Sequence, residues 1–437
     1  MSAPPVQIWP HLGFEDTPYS TLPLLPVARD ARLLAGREAA LDEIKYRLVN
    51  DRTMIPLQGD FGVGKSSVAN VAAWYASTWR KQGPQIYIPV AKPFVLDIGT
   101  LAEFPREVYR RVARALISGA EALADDYRGL ARVDDMKDWI SAPIIRAGGG
   151  GGTAFGFGGQ FSVTKAINAT DAMEEDGLRA IVTEWLDSAF GDDKPGAVIC
   201  VLDNMETLGS GRTVAQLIEA HRDSLFTANG LRWILCGAER IFDGISTRRK
   251  LHGFFSDPIE IGPLSDDEAR EVVSRRIHSL ALPNMTQLVP VTPDKFESVY
   301  LRTGKNLRFA LNICHNFALH VGRDVAKVGE PSRAELDSKL ADYLAERARR
   351  AADVWGRKLP PAQATVLDTL MSQFGGSCSS NDWREFSQYQ SAFSNAVTKL
   401  KEKGLVERVD HPEAGGRSLI TATELGRWAY FSQRQEP

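Results

Sequence analysis

Apolar positions along the chain change their period several times, and each change marks an element. In "REAALDEIKYRLVN" (Arg37 to Asn50) they recur at helical spacing. "TMIPLQGDFGVGKSSVANVAAWYA" predicts a short apolar strand, a Gly-rich turn and then a helix. "QIYIPVA" predicts a second strand and "EFPREVYRRVARALISG" a helix. Further on come a helix in "GLRAIVTEWLDSAF", a buried strand in "AVICVLD" and a helix in "GRTVAQLIEAHRDSLF". "LRWILCGA" and "DPIEIGPL" add two more strands. Strands alternating with helices predict an α/β fold with a parallel sheet covered on both faces. After Ser265 the pattern turns all-helical, opened by a capping box of Ser265 and Glu268. Residues 1–33 are Pro-rich and carry Trp9, Phe14 and Tyr19, which predicts an extended arm lying on a domain.

One strand-to-helix junction carries chemistry. Gly59-Asp60-Phe61-Gly62-Val63-Gly64-Lys65-Ser66 matches GxxxxGK[ST] in full, in the context that gives this pattern its meaning. The glycines let backbone N–H groups close around phosphate oxygens, and the helix N-terminus adds its positive dipole end. The pattern places Lys65 on the β- and γ-phosphates and Ser66 on Mg²⁺. Pro56, inside the preceding strand, lacks a ladder donor and predicts a strand edge or a local distortion.

The strand "VICVL" (198–202) ends on Asp203, a carboxylate suited to hold Mg²⁺ beside Ser66. The next residue is Asn204, which cannot take a proton from water. Glu206 is either the base or a surface residue of the following turn. Hydrolysis is therefore expected to be slow at rest.

In this order the motifs resemble the AAA+ superfamily, near its origin-recognition and STAND (signal-transduction ATPase) branches, over residues 33–325. "LLAGREAALDEI" looks like the box that precedes the phosphate loop, and "VLDNMETL" looks like the acidic strand of STAND regulators. "IEIGPLSDDEAREVV" looks like the strand-to-lid junction. "RTGKNLRFAL" is similar to the lid segment with the sensor-2 arginine, here Arg308. The resemblance implies ATP and Mg²⁺ as ligands. It implies nucleotide contacts from Gly59 to Ser67 and from Arg37, metal contacts from Ser66 and Asp203, and catalytic roles for Lys65, Asp203, Glu206 and Arg308. It also implies an arginine finger acting on a neighbouring subunit: Arg248 and Arg249 are the candidates, and each reads equally as a helix-surface arginine. The strand "LRWILCGAER" departs from the pattern, ending on Cys236 and Gly237 instead of a polar sensor; Glu239 and Arg240 follow.

From Leu359 onward the chain resembles the winged helix-turn-helix of DNA-binding regulators: "KLKEKGLVER", two strands around a Gly-rich tip, then "T..G". The helix from Ser391 has an apolar stripe of Phe393, Val397 and Leu400. Ser391, Ser394, Asn395 and Thr398 make a polar face that, with Arg417 of the wing, is the expected DNA contact. Basic and acidic residues nearly balance here, a poor phosphate footprint, so a protein-contact role stays open.

The expected organisation is an N-terminal arm (1–33), a P-loop ATPase core (34–263), a helical lid (264–325), a helical connector (326–358) and the winged helix (359–437). An insertion near 147–165 interrupts the core. Its five consecutive glycines exclude helix or strand, and the segment after them alternates like a hairpin. Gly148 to Gly159 is either a contact loop for DNA, a partner or the next subunit, or a linker beside a buried hairpin.

Composition narrows the class. The net charge of −3 excludes a molecule that binds nucleic acid by overall charge. Cys200, Cys236, Cys314 and Cys378 form no CxxC pair and read as free thiols, which fits a reducing cytoplasm. The N-terminus lacks a signal-peptide pattern, and no apolar run is long enough to span a bilayer. The expected function is a slowly hydrolysing switch ATPase coupled to double-stranded DNA, with settings that include replication, transposition control and phage defence. The alternative is a STAND-like assembly ATPase whose winged helix meets a protein. A homo-oligomer fits either.

Overall fold

The computed structural model describes residues 7–79, 85–96, 98–122, 171–190, 195–208, 211–246, 248–356, 359–411 and 417–433. The glycine stretch and its expected hairpin lie outside them. The parallel sheet is present as expected. Its strands are β1 (Ile55–Gln58), β2 (Ile86–Pro89), β3 (Phe94–Val95), β4 (Gly196–Asp203), β5 (Leu231–Gly237) and β6 (Ile259–Glu260). They run in the order β2-β4-β5-β1-β6, with β3 extending β4 on the β2 side, and every pairing is parallel.

Both faces of this sheet are covered, which is why its strands are apolar without alternation. On one face, α3 (Glu38–Asn50) and α4 (Lys65–Thr78) bury Ile44, Leu48, Val68 and Ala72 against Ile55, Leu57, Ile199 and Ile234. On the other, α5 (Phe104–Ala122), α6 (Asp171–Ala189), α7 (Gly211–Ala220) and α8 (Glu239–Ser246) close over Phe94, Cys200, Leu202 and Trp233.

Pro56 sits in β1, the next-to-last strand, which only the two-residue β6 flanks on its outer side. The β6 side of β1 is bonded at Met54, which pairs with residues 254 and 256, and again at Gln58. The ladder alternates sides, so the donor missing at Pro56 falls on the β6 side between these two points, where no strand runs. The edge reading therefore holds locally: beside Pro56 the β6 side of β1 is an open edge.

The helical unit follows: α9 (Asp266–Leu280), α10 (Pro293–Arg302) and α11 (Leu307–Val328). The Ser265–Glu268 capping box opens α9 as expected. The long α12 (Arg333–Gly356) leads to the C-terminal unit. There α13 (Pro361–Ser372), β7 (Ser377–Ser379), α14 (Gln390–Glu402), β8 (Val406–His411), β9 (Arg417–Ala422) and α15 (Glu424–Gln433) build a small antiparallel sheet in the order β7-β9-β8. One apolar core runs through both units, from Phe296 and Phe309 to Leu367, Phe393 and Trp428.

The arm is not simply extended. Two short helices, α1 (Ile8–His11) and α2 (Ala28–Ala31), punctuate it, and Leu12, Phe14, Tyr19 and Leu24 are buried. Its first half packs on the helical unit: Ile8 lies against Gly322 of α11, and Glu15 N–H donates to Leu280 O at 2.8 Å. Its second half packs on the sheet domain, where Asn70 of α4 donates to Leu24 O at 2.7 Å. The four cysteines are free and buried, as expected. Among the described residues no helix is long and apolar enough to cross a membrane.

Candidate functional site

The loop between β1 and α4 forms because three of its glycines take positive φ: Gly59, Gly62 and Gly64. Gly62 has no room for a side chain, since a Cβ there would meet Asn306 Oδ1 at 2.6 Å. Gly64 caps α4, so the first free N–H groups of that helix open into a cleft. The floor of this cleft is Phe61, Gly62 and Gly64 to Ser67. Asp203, Asn204 and Glu206 form one wall, Arg276, Leu307, Arg308 and Leu311 of the helical unit another, and arm residues Ser20 to Pro23 the rim.

Lys65 is nearly buried, and its Nζ donates to the backbone oxygens of Gly59 and Asp60 at 2.8 and 2.9 Å. Glu206 Oε1 stands 3.9 Å from the same Nζ. Glu206 therefore faces the loop instead of pointing away from it. The backbone explains this: Asn204 has φ +54°, a left-handed turn uncommon outside glycine and one in which Asn is enriched, and residues 205–208 coil into a 3₁₀ turn. Asp203 is only 4 % exposed and ends β4 as expected. Cys236, at the end of β5, is fully buried. Burial first, and then the Asp203 charge, push its thiol well up, so it stays neutral. Glu239 is exposed and lines a different cleft, so among the described residues β5 brings no polar sensor to this site.

The remaining expected ligands are divided. Gly59 and Asp60 line that second, acidic cleft on the outer side of the loop, together with Glu260, Asp382 and Glu385. Val63 is buried. The Ser67 hydroxyl accepts from Leu24 N–H at 3.1 Å, tying the arm to α4. Arg37 lies behind the loop, where one guanidinium nitrogen donates to Val63 O and Gly262 O, each at 2.8 Å. Burial holds its pKa below the ordinary arginine value. It braces the loop and does not line the cleft.

Arg308 does reach the cleft. Its backbone N–H donates to Gly62 O at 3.1 Å and its guanidinium sits over the Phe61 ring, 4.7 Å from the centroid. Burial lowers its pKa and the Asp203 charge raises it again in part. Asn306 donates to Phe61 O at 2.8 Å, so the helical unit holds the loop at two adjacent residues.

Sequence reasoning missed Arg276. It is 6 % exposed, donates to Ser20 O at 2.8 Å and keeps a buried Nε with no hydrogen-bond partner among the described residues. Burial brings its pKa down to about 10, so it is charged at neutral pH. The only sequence signal was an arginine pair on an amphipathic helix, which reads equally well as solvated surface. The rim formed by Ser20 to Pro23 carried no signal at all.

In the C-terminal unit Ser391, Asn395 and Thr398 are exposed on α14 and Ser394 is half-buried, while Phe393, Val397 and Leu400 are buried as the stripe predicts. The Thr398 hydroxyl donates to Ser394 O at 2.9 Å. Arg417 opens β9 opposite His411. Tyr389, just before α14, is 69 % exposed and was not foreseen. Of the finger candidates, Arg249 is exposed and Arg248 half-buried, and neither lines the cleft.

The donor set suits a magnesium nucleotide. Among the described residues no three His, Cys, Asp or Glu side chains converge as a metal site of their own. Ser66 and Asp203 offer a hydroxyl and a carboxylate in the same cleft, the partial oxygen set of an ion that completes its shell from phosphate and water. Lys65, Arg276 and Arg308 supply positive charge around it.

No family model matches the chain, and no curated protein does. Among solved structures it is similar to the Aeropyrum pernix ORC1 protein in complex with DNA, at 16 % identity and a TM-score of 0.43, covering 93 % of this chain and 96 % of that one. It is also similar to the Aeropyrum pernix ORC2 protein in its ADP form, at 11 % identity and a TM-score of 0.46, with 97 % and 99 % covered. A third is Drosophila ORC bound to DNA, at 12 % identity and a TM-score of 0.40, with 99 % and 94 % covered. Likeness this loose fixes neither family nor activity.

Proposed function

We propose that the chain is a switch ATPase of AAA+ type that binds ATP with Mg²⁺ in the α4 cleft, hydrolyses it slowly and couples its nucleotide state to double-stranded DNA. The observation that carries this reading is the convergence of Lys65, Asp203, Glu206 and Arg308, from three separate chain segments, on one cleft at the N-terminus of α4. Each has a task that suits its chemistry. The loop N–H groups and Lys65 bind phosphate, and Ser66 and Asp203 hold the metal. Arg308 brings charge from the helical unit, so that unit responds to the phosphates present.

Among the described residues Glu206 is the carboxylate paired with Lys65, and it is placed to orient or deprotonate water. The residue that follows the strand end is Asn204, and the Glu206 carboxylate is held toward Lys65. This supports turnover well below the common enzyme median of about 10 per second. The arm (1–33), core (34–263), lid (264–325), connector (326–358) and winged helix (359–437) would then act as one relay. DNA would be met by the exposed polar face of α14 and by Arg417. The polarity of that face favours DNA over a protein partner. A homo-oligomer using Arg248 or Arg249 is compatible with their position outside the cleft.

The test is ATP hydrolysis by the full chain with and without duplex DNA at moderate salt. Stimulation by DNA that Lys65→Ala removes supports the switch. Slow turnover that ignores DNA moves the C-terminal unit to a protein-contact role, and unchanged nucleotide affinity in folded Lys65→Ala refutes the nucleotide site.

A further inference from the structure

The C-terminal unit touches the phosphate loop directly, through a residue to which the sequence assigns no role. Arg427 of α15 sits over the Phe61 ring, 5.3 Å from the centroid, and Arg308 of the helical unit sits over the same ring at 4.7 Å. Cations over an aromatic face are attracted by its quadrupole, but two of them beside one ring repel each other. Burial, and then the Arg308 charge, bring the Arg427 pKa down to about 10. Among the described residues neither arginine has a carboxylate ion-pair partner; Asp203 acts on Arg308 from further away.

The fit around this contact is close. Gly375, in the turn between α13 and β7, has φ +58°, and a Cβ there would stand 2.4 Å from Phe61 Cβ. A Cβ on Gly376 would meet the Arg427 guanidinium at 2.6 Å, and Arg427 itself donates to Gly375 O at 3.4 Å. Strand β7 also lies beside the 205–208 turn that carries Glu206. Phe61 is at once a lining residue of the cleft and the post on which the C-terminal unit rests. The site thus gathers more buried positive charge than its own carboxylates balance, next to a loop shaped for polyphosphate.

We propose that Arg427 is a phosphate-responsive residue, so that nucleotide phosphates in the cleft and the docked C-terminal unit stabilise each other through the charge gathered at Phe61. The inference rests on the nucleotide reading of the cleft. It adds a direction: bound polyphosphate relieves the repulsion between Arg308 and Arg427 and tightens the docking. By linkage the docked arginine tightens the nucleotide by the same factor.

The experiment measures ATP affinity of the full chain with a fluorescent analogue for wild type, Lys65→Ala, Arg427→Gln, Arg427→Lys and Phe61→Leu. Arg427→Gln is expected to weaken binding roughly tenfold, the scale of a unit charge acting across about 12 Å at an effective dielectric of about 20, since Arg427 stands behind Phe61 and does not line the cleft. Arg427→Lys keeps the charge and is expected to stay within about threefold of wild type, since it loses only the planar stack. Wild-type affinity in Arg427→Gln, or equal losses in the Gln and Lys variants, overturns the proposal while leaving the nucleotide site standing. Failure of wild type to bind, or unaltered binding by Lys65→Ala, overturns the underlying reading instead. If Arg427→Gln does not fold, hydrogen exchange on wild type decides. Saturating ATP is expected to protect residues 373–377 and 424–430, and unchanged protection there overturns the proposal.

Discussion

Tyr19→Phe isolates what holds the arm over the cleft. Tyr19 is fully buried, and its hydroxyl both donates to Val291 O at 2.7 Å and accepts from Val291 N–H at 3.0 Å. Burial pushes the phenol far above its ordinary pKa, so it is neutral and able to play both parts. Phenylalanine fills nearly the same space, so the change removes no packing and leaves one buried N–H and one buried C=O without their partner. Each unpaired buried group costs about 1–3 kcal/mol, so the arm's attachment to the helical unit should weaken by about 2–6 kcal/mol. A chain of several units has no single well-defined unfolding energy, so the readout must be local. Hydrogen exchange of residues 7–24 and 282–291 should rise by about one and a half to four decades, on the scale of about 1.4 kcal/mol per decade, while that of β4 and β5 stays fixed. Because the next residue is Ser20, on the cleft rim, nucleotide affinity should fall as well. Unchanged exchange in the arm would refute the reasoning, because it would mean the two hydrogen bonds contribute nothing net.

Further tests address other joints of the molecule. Gly62→Ala should weaken nucleotide binding and lower the midpoint of the thermal transition, as its Cβ meets Asn306 at φ +86°; calorimetry showing a wild-type transition would contradict this. His315 of α11 is bonded to Thr17 of the arm at 3.0 Å and lies tilted against Trp9, and burial holds its pKa below the ordinary value against the opposing pull of Asp16. A depressed histidine favours the neutral form while the arm is docked, so its contribution is full above about pH 6.5 and is lost as pH falls through the lowered folded pKa. Protease sensitivity of the arm should therefore rise on acidification, and His315→Gln should flatten that dependence. Asn395→Ala combined with Arg417→Ala should weaken duplex binding measured by fluorescence anisotropy; unaltered affinity would assign the polar face of α14 elsewhere.

The sheet and the loop were legible because their signals are local. Continuous apolar runs such as residues 198–202 bury both faces of a strand, and glycines at fixed spacing mark a backbone that must approach phosphate. Strand β7 was missed because "SCS" is three residues after a Gly pair and earns strand geometry only from its pairing with residues 419–421. Pro56 could be read as an edge or a distortion from sequence, and only the position of β6 decides between them. Arg276 and Arg427 were illegible for the same reason as each other. On an amphipathic helix a buried arginine and a solvated one look alike, and what distinguishes these two is a partner hundreds of residues away, Ser20 O for one and the Phe61 ring for the other.

Those distant partners share one destination. The arm crosses from the helical unit to α4 at residues 20–23, Arg308 and Asn306 reach down from α11 and its cap, and Arg427 arrives from α15. All four contacts fall on or beside a loop in which glycines alternate with Phe61 and Val63. Glycines at positive φ leave such a backbone few restraints of its own, so its conformation is set largely by what leans on it. The converse follows: anything that fills the cleft and stiffens the loop is felt at once by the arm, the helical unit and the C-terminal unit. The proposed switch would need no wire through the protein, because its distant parts already touch the site.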